Sequence, residues 1–268
     1  MSSMSTKFIR GIVGKLFRYW LKIFVAISRK INGDFVEGFL VTSGSFRFIV
    51  AHDDMSVGRS LRVKGAYSTS ELERISKLVS EKSSVIFLGA HVGALAIPTA
   101  ERVKSCVLIE ANPSTYKFLK ANVNLNGLQN VVCHNLAIGE RLGEISFITN
   151  TVNSGGSKRE PLIKENFYYY DNPKTISVPM STLDLVCDEH HEAFDLIFMD
   201  IEGSEIFALR GMTEVLRRTN ALIIEFIPHH INSVAGCSID DFINPLKSNF
   251  EFCYVPSLNT NLRSSEFD

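Results

Sequence analysis

The chain has little of what would mark several function classes. It holds 5 cysteines in 268 residues: Cys106, Cys133, Cys187, Cys237 and Cys253. None forms a C-x-x-C pair or stands near a His at zinc-finger spacing, which excludes a cysteine zinc module and a thioredoxin-like redox motif. The odd number and wide spacing read as reduced thiols and a cytoplasmic setting. An excess of one charge is missing too. Lys and Arg total 28 against 29 Asp and Glu, a net charge of -1, so the basic surplus of a nucleic-acid partner is absent. No uncharged run approaches the roughly 20 residues that span a bilayer. No small-residue cleavage site follows the N-terminal apolar stretch.

That stretch has its own pattern. Residues 7–31 carry Lys7, Arg10, Lys15, Arg18, Lys22, Arg29 and Lys30, with no acid before Asp34. At about 100° per residue, Ile12, Val13, Leu16, Trp20, Ile23, Phe24 and Ile27 share one face, and most of the basic residues share the other. A basic amphipathic helix over residues 1–32 can lie flat on the inner face of an anionic membrane. It can equally pack on the protein's own core or on a second subunit.

Residues 33–83 form a prelude. Phe35–Thr42 and Phe46–Ala51 are apolar runs around Ser43-Gly44-Ser45, the pattern of a hairpin. Ser68 and Glu71 have the spacing of a capping box that opens a helix to about Lys82. From residue 84 to 258 apolar strands alternate with helices. Strands are predicted at Val85–Leu88, Cys106–Ile109, Val131–Cys133, Glu144–Thr149, Thr175–Val178, Asp195–Met199, Ala221–Ile227 and Phe252–Val255. Helices are predicted to about Lys104, over Pro113–Asn126, Gly203–Arg218 and Ile239–Asn249. Such alternation gives an α/β domain whose mainly parallel sheet is covered by helices on both faces. Residues 259–268 read as a frayed polar tail.

In sheets of this kind ligands bind beyond the C-terminal strand ends. Four ends carry chemistry. VIFLGAHVGAL places Gly89, Ala90, His91 and Gly93 at a strand-to-helix turn, where glycine lets the backbone bend and a ligand come close. Glu110 ends the next strand, 21 residues after Gly89, a spacing at which an acid accepts both ribose hydroxyls. The turn lacks the middle glycine of G-x-G-x-x-G, which disfavours a nicotinamide oxidoreductase and suits S-adenosylmethionine, a nucleoside without pyrophosphate. Asn135 to Ala137 follow the third strand, where a short polar residue can contact adenine. Finally, DLIFMDIEGSE runs an apolar strand into Asp200 and Glu202; Asp200 is either at the ligand crevice or a helix cap.

Together these segments resemble the FkbM family of methyltransferases. The resemblance runs from about Phe46 to Ile227, most specifically in GAHVG (89–93), IEANPSTYKFLKANVNLNG (109–127), STLD (181–184), MDIEGSE with ALRG (199–211) and LIIEFIP (222–228). It implies a Rossmann-like class I methyltransferase fold with a mainly parallel seven-stranded sheet, preceded by the N-terminal helix and hairpin. It implies S-adenosyl-L-methionine as cofactor, lined by Gly89, Ala90, His91, Gly93, Glu110, Ala111, Asn112, Asn135 and Ala137. Asp200, Glu202 and Glu225 fall on the substrate side, as the catalytic candidates for O-methylation of a sugar or another small molecule. Three positions depart from the family: Phe87 replaces its Asp, Phe198 its Lys and His91 its Asn. An ion pair between neighbouring strands has become a Phe–Phe contact, an exchange that can be neutral or stabilising when both partners change together. The same departures motivate a second reading, a non-catalytic binding or scaffold protein.

O-methylation needs a base for the acceptor hydroxyl. Asp200 is the first candidate and Glu225 the second; His229 and His230 are alternatives, or else a solvated loop. Asp200, Glu202 and Glu225 also offer oxygen ligands to a divalent metal, although their spacing matches no named metal motif. The long segment 150–174, with Asn153-Ser154-Gly155-Gly156-Ser157 and Tyr168-Tyr169-Tyr170, reads as a lid or binding loop, its tyrosines able to stack on a sugar.

Overall fold

The computed structural model describes residues 16, 19–20, 23–33, 35–188 and 193–267. Residues 16, 19, 20 and 23–32 are helical. The chain then forms the antiparallel hairpin of β1 (Gly38–Ser43) and β2 (Phe46–Ala51). Two helices follow, Val57–Lys64 and Thr69–Leu78. The first gave no signal in the sequence. The second begins without the expected capping box: Ser68 adopts φ 43° and makes no side-chain cap bond.

The central sheet is built from runs whose residues are buried on both faces. These are β3 (Ser84–Leu88), β4 (Ser105–Ile109) and β5 (Val131–His134). After the second sheet come β10 (Phe194–Met199) and β11 (Thr219–Ile224). All pair in parallel, in the order β11-β10-β3-β4-β5. Alternation along β3 divides the core. Phe87 faces a cluster with Phe48, Ile75, Leu108, Leu119 and Phe198. Ile86 and Leu88 face the other, with Ile109, Ile197, Met199 and Leu209.

Seven strands were expected in that sheet and five are there. The extended segments between its halves pair with each other instead. β6 (Ala137–Ile138), β7 (Gly143–Thr149), β8 (Lys158–Arg159) and β9 (Lys174–Ser181) form a separate sheet in the order β6-β9-β7-β8. β7 and β9 run antiparallel from Gly143↔Met180 to Thr149↔Lys174. The last predicted strand, β12 (Phe252–Val255), pairs only with β13 (Thr260–Arg263). Phe252 and Tyr254 are 58% and 52% exposed, so β12 lacks the double cover a parallel sheet requires. The tail expected to fray supplies β13.

Two predicted helices are shorter than their pattern. Gly203–Arg218 divides into Glu205–Arg210 and Thr213–Arg217. The break falls at Gly211, where a Cβ would overlap the Gly139 carbonyl. The helix expected up to Lys104 is Ala96–Ala100, with Pro98 inside it removing a ladder donor. Pro113–Leu125 forms as predicted. Asn112 caps it through a hydrogen bond from the Ser114 N–H. Its Asn122, fully buried, accepts from the Ile49 N–H (2.6 Å) and donates to the Ile49 and Val92 carbonyls (3.0 and 2.9 Å). One side chain thus fixes the hairpin to the helix and to the glycine turn.

The N-terminal helix docks through one face only. Val25 is buried, and Arg29 donates to the Asp53 carboxylate (3.0 and 2.6 Å). Its apolar stripe does not pack on the protein's own core, contrary to one of the sequence expectations: Trp20, Phe24, Ile27 and Ile31 are all exposed. Among the described residues, no helix is long and apolar enough to cross a membrane.

Candidate functional site

Four strand ends of the central sheet open into one cavity of about 240 Å³. Backbone pairing continues one residue past each strand and so fixes where the acids stand. The Glu110 N–H donates to the His134 carbonyl (3.1 Å), the Asp200 N–H to Leu88 (3.0 Å) and the Glu225 N–H to Met199 (3.0 Å). Gly89 sits among them at φ 82°. A Cβ there would overlap the Asp200 carbonyl, so only glycine lets these two strand ends approach.

Of the residues assigned to the cofactor, Gly89, Ala90, His91, Glu110, Ala111 and Ala137 line the cavity. Gly93, Asn112 and Asn135 stand behind its wall. Gly93 makes room for Ile97. Asn135 donates to the Glu110 and Ala111 carbonyls (2.8 and 3.3 Å) and fixes the loop that carries them. The Glu110 carboxylate is buried and accepts from the His91 N–H (2.9 Å) and the Asn112 N–H (2.8 Å). Burial pushes its pKa up to about 7 in spite of those two donors. Two bonds leave the carboxylate with free lone pairs.

His91, at φ 51°, is part of a chain the sequence did not reveal. Ser154 donates to Asp54 (2.8 Å), and His91 Nε2 lies 2.7 Å from the same hydroxyl. The Ser154 hydrogen is committed to Asp54, so Nε2 is the donor and the ring is the Nε2–H tautomer. Burial, the larger effect, lowers the His91 pKa, while Asp54 opposes it, which keeps that ring neutral. The loop from Asn153 to Ser157, expected as a lid or binding segment, is tied by this chain to the glycine turn and lines the cavity.

At the opposite end, the half-buried Asp200, Glu202 and Glu225 bring carboxylate oxygens within 4.8 Å of one another. Burial, then the charges of Glu225 and Glu202, hold Asp200 well above the usual carboxylate range. Burial and Glu202 push Glu225 up to about 7. The Asp200 and Glu225 carboxylates lie within 4.8 Å of each other, and acids this close titrate as a pair. Glu202 is paired with Lys158, whose buried ammonium donates to it (2.8 Å) and lies 3.3 Å from His230 Nε2. The three acids can hold a divalent cation through oxygen; Lys158 already neutralises one of them.

Several expectations change here. Asp200 is no helix cap: Ser204 holds the N-cap position of the next helix and makes no side-chain cap bond, while Glu205 braces the preceding loop by accepting from the Ile201 and Gly203 N–H groups (3.1 and 2.9 Å). His230 is no solvated loop residue. It is buried beside Lys158, and burial followed by the Lys158 charge drops its pKa to about 3, which leaves it a weak base. Tyr168 is buried under His229 and beside Lys158, whose Nζ lies 5.0 Å from its ring centre; that ring is not a platform for a sugar. Phe87 and Phe198 meet as inferred, as register partners with ring centres 5.4 Å apart.

Tyr67, Asp54 and Lys158 join the site without having been singled out in the sequence, whereas Ser154 belongs to the loop expected as a lid or binding segment. Tyr67 lines the cavity, and burial with the Asp200 charge raises its pKa to about 12. Asp54 was findable: Asp53-Asp54 follows an apolar strand, the same strand-end signal that singled out Glu110. A lone Lys158 in a polar loop gives no such signal.

Residues 88–251 match the methyltransferase FkbM domain, a span that begins and ends later than the motifs first suggested. An uncharacterized protein of Methanocaldococcus jannaschii is 37% identical over 57 residues, 21% of this chain and 22% of that protein. The crystal structure of a methyltransferase FkbM from Methylobacillus flagellatus is 19% identical, with a TM-score of 0.43, over 70% of this chain and 42% of that one. The M. jannaschii TYW2 in complex with AdoMet is 24% identical, with a TM-score of 0.32, over 38% of this chain and 43% of that one. The chain spans less than half the length of each. S-adenosylmethionine is the methyl donor of such methyltransferases, and a cradle of glycine backbone beside a buried carboxylate with free lone pairs suits its nucleoside. With its family model covering residues 88–251, the chain belongs to the FkbM methyltransferase family.

Proposed function

We propose that the chain transfers the methyl group of S-adenosylmethionine to a hydroxyl oxygen of a small molecule or sugar. The observation that carries this reading is the placement of the Asp200 and Glu225 carboxylates within 4.8 Å of each other in the cavity, on the side of the sheet away from Glu110. A base that titrates near neutrality suits an alcohol, which is a weak nucleophile while protonated. When bound, the cofactor supplies an electrophilic methyl carbon on a sulfonium.

Glu110 holds the ribose hydroxyls through its remaining lone pairs, and the Gly89–Ala90 backbone lets the nucleoside come close. Ala111 and Ala137 form the apolar wall for the base. Asp200 and Glu225 take the acceptor proton, and alignment of that oxygen behind the methyl is worth several kcal/mol. The Ser154 loop keeps water from the reacting atoms. Neutral polyols fit the acidic end better than phosphorylated acceptors, which three carboxylates repel.

Methyl transfer from labelled S-adenosylmethionine to a panel of hydroxylated acceptors tests the proposal. Label in an ether product, lost in Asp200→Asn, supports it. Cofactor binding with label only in nitrogen or carbon products overturns the hydroxyl assignment. No binding of cofactor at all favours the scaffold reading that Phe87, Phe198 and His91 first suggested.

A further inference from the structure

Among the described residues, none covers the apolar face of the N-terminal helix. Leu16, Trp20, Phe24, Ile27 and Ile31 are 55%, 67%, 55%, 50% and 77% exposed. At 100° per residue all five fall within an arc of about 80°. Val25, on the opposite side, is buried, and Arg29, near it, is bound to Asp53. The helix is therefore fixed to the body by one face while its apolar stripe points away. Exposed aromatic and aliphatic side chains in one continuous stripe mark an interaction surface.

Charge selects the occupant. The sequence from residue 7 to 31 contains Lys7, Arg10, Lys15, Arg18, Lys22, Arg29 and Lys30 and no acid. An anionic bilayer is the complement: its hydrocarbon edge takes the stripe and its headgroups take the cations. We infer that the N-terminal helix lies in the surface of an anionic membrane, with Trp20, Phe24, Ile27 and Ile31 in the acyl boundary and the methyltransferase domain held on the water side. This surface is separate from the cavity and does not depend on which acceptor is methylated. Its anchor is nonetheless close to the site in sequence and contact. Asp53 precedes Asp54, the residue that holds the Ser154 loop to the glycine turn.

Trp20 is the only tryptophan of the chain, so its fluorescence reports on this helix alone. The full-length protein is titrated with phosphatidylglycerol–phosphatidylcholine vesicles and with pure phosphatidylcholine vesicles. The expected result is a blue shift of emission with the anionic vesicles, quenched by brominated acyl chains and weakened by salt. The double variant Phe24→Glu, Ile27→Glu should lower partitioning at least tenfold while its affinity for S-adenosylhomocysteine stays that of the parent, which shows that the domain is folded. Two results overturn the inference. One is no shift with anionic vesicles. The other is a blue shift that grows with protein concentration in the absence of lipid and disappears in the double variant, which would assign the stripe to a second copy.

Discussion

The two ends of the cavity use the same residue types at the same structural position and reach different chemistry. Glu110, Asp200 and Glu225 each stand one residue past a strand of the same sheet. At the Glu110 end, two backbone N–H groups grip the carboxylate and no other acid side chain bonds to it. At the other end, carboxylates face carboxylates, and a side-chain ammonium balances only one of them. Both ends are pushed toward neutral pKa values by burial. On the proposed reading, fixed backbone donors suit Glu110 to hold hydroxyls, whereas mutual repulsion suits Asp200 and Glu225 to exchange a proton. Position beyond a strand places an acid at the ligand; its neighbours decide what it does there.

That contrast can be broken at either end. The largest effect is expected at the acidic end. Asp200→Asn should cut methyl transfer by about 10²–10⁴, the usual worth of a positioned base, while affinity for S-adenosylhomocysteine changes by a few-fold at most. A variant with unaltered turnover would remove Asp200 from the base. At the other end, Glu110→Ala deletes the proposed ribose contacts and orphans the His91 and Asn112 N–H groups. A loss of about 3 kcal/mol, or about 100-fold in nucleoside affinity, should appear in a calorimetric titration.

A smaller effect separates the pair from its neighbour. Turnover should rise with pH as the Asp200 and Glu225 pair deprotonates, levelling above about 7, the value to which Glu225 is pushed. Lys158→Met removes a nearby positive charge, so that limb should move to higher pH by about one unit. Lys158→Arg should return it, and adding Glu202→Gln to Lys158→Met should restore the charge balance and shift it back. A profile that does not move would leave Lys158 with a packing role only.

A separate effect lies in the stability of the unliganded chain. Glu110, Glu205 and Glu225 have folded values of about 7 against an ordinary 4.5. The folded protein therefore binds protons more tightly than the unfolded chain. Their contribution is full below about 4.5 and declines as pH rises to about 7, then stays level. Denaturant midpoints across that window should fall, and Glu205→Gln should flatten part of the slope. A midpoint that rises over the same range would contradict the burial assigned to these acids.

Much of this arrangement was legible in the sequence, for physical reasons. Strands buried on both faces are short apolar runs, and VIFL, CVLI and DLIFM are unmistakable as such. Acids and glycines at their ends mark the cavity because each breaks the run in a distinct way. The Phe87–Phe198 contact followed from paired departures at neighbouring strands. Three predicted strands lie outside the sheet: β7 and β9 pair with each other and β12 pairs with β13; periodicity identifies a strand without naming its neighbour. Gly211 was read as part of a helix because its close contact with Gly139 is a tertiary fact. Lys158 and the Asp54–Ser154–His91 chain join residues up to 100 positions apart, and no local pattern encodes such a meeting.

The division of labour between the two ends is tested most directly by titrating S-adenosylhomocysteine into the parent chain, Glu110→Ala and Asp200→Asn in one calorimetric series. Binding that is lost in Glu110→Ala and kept in Asp200→Asn is the predicted result. Equal affinity in the parent and Glu110→Ala would contradict it, because the buried carboxylate at that end would then hold nothing but its own loop.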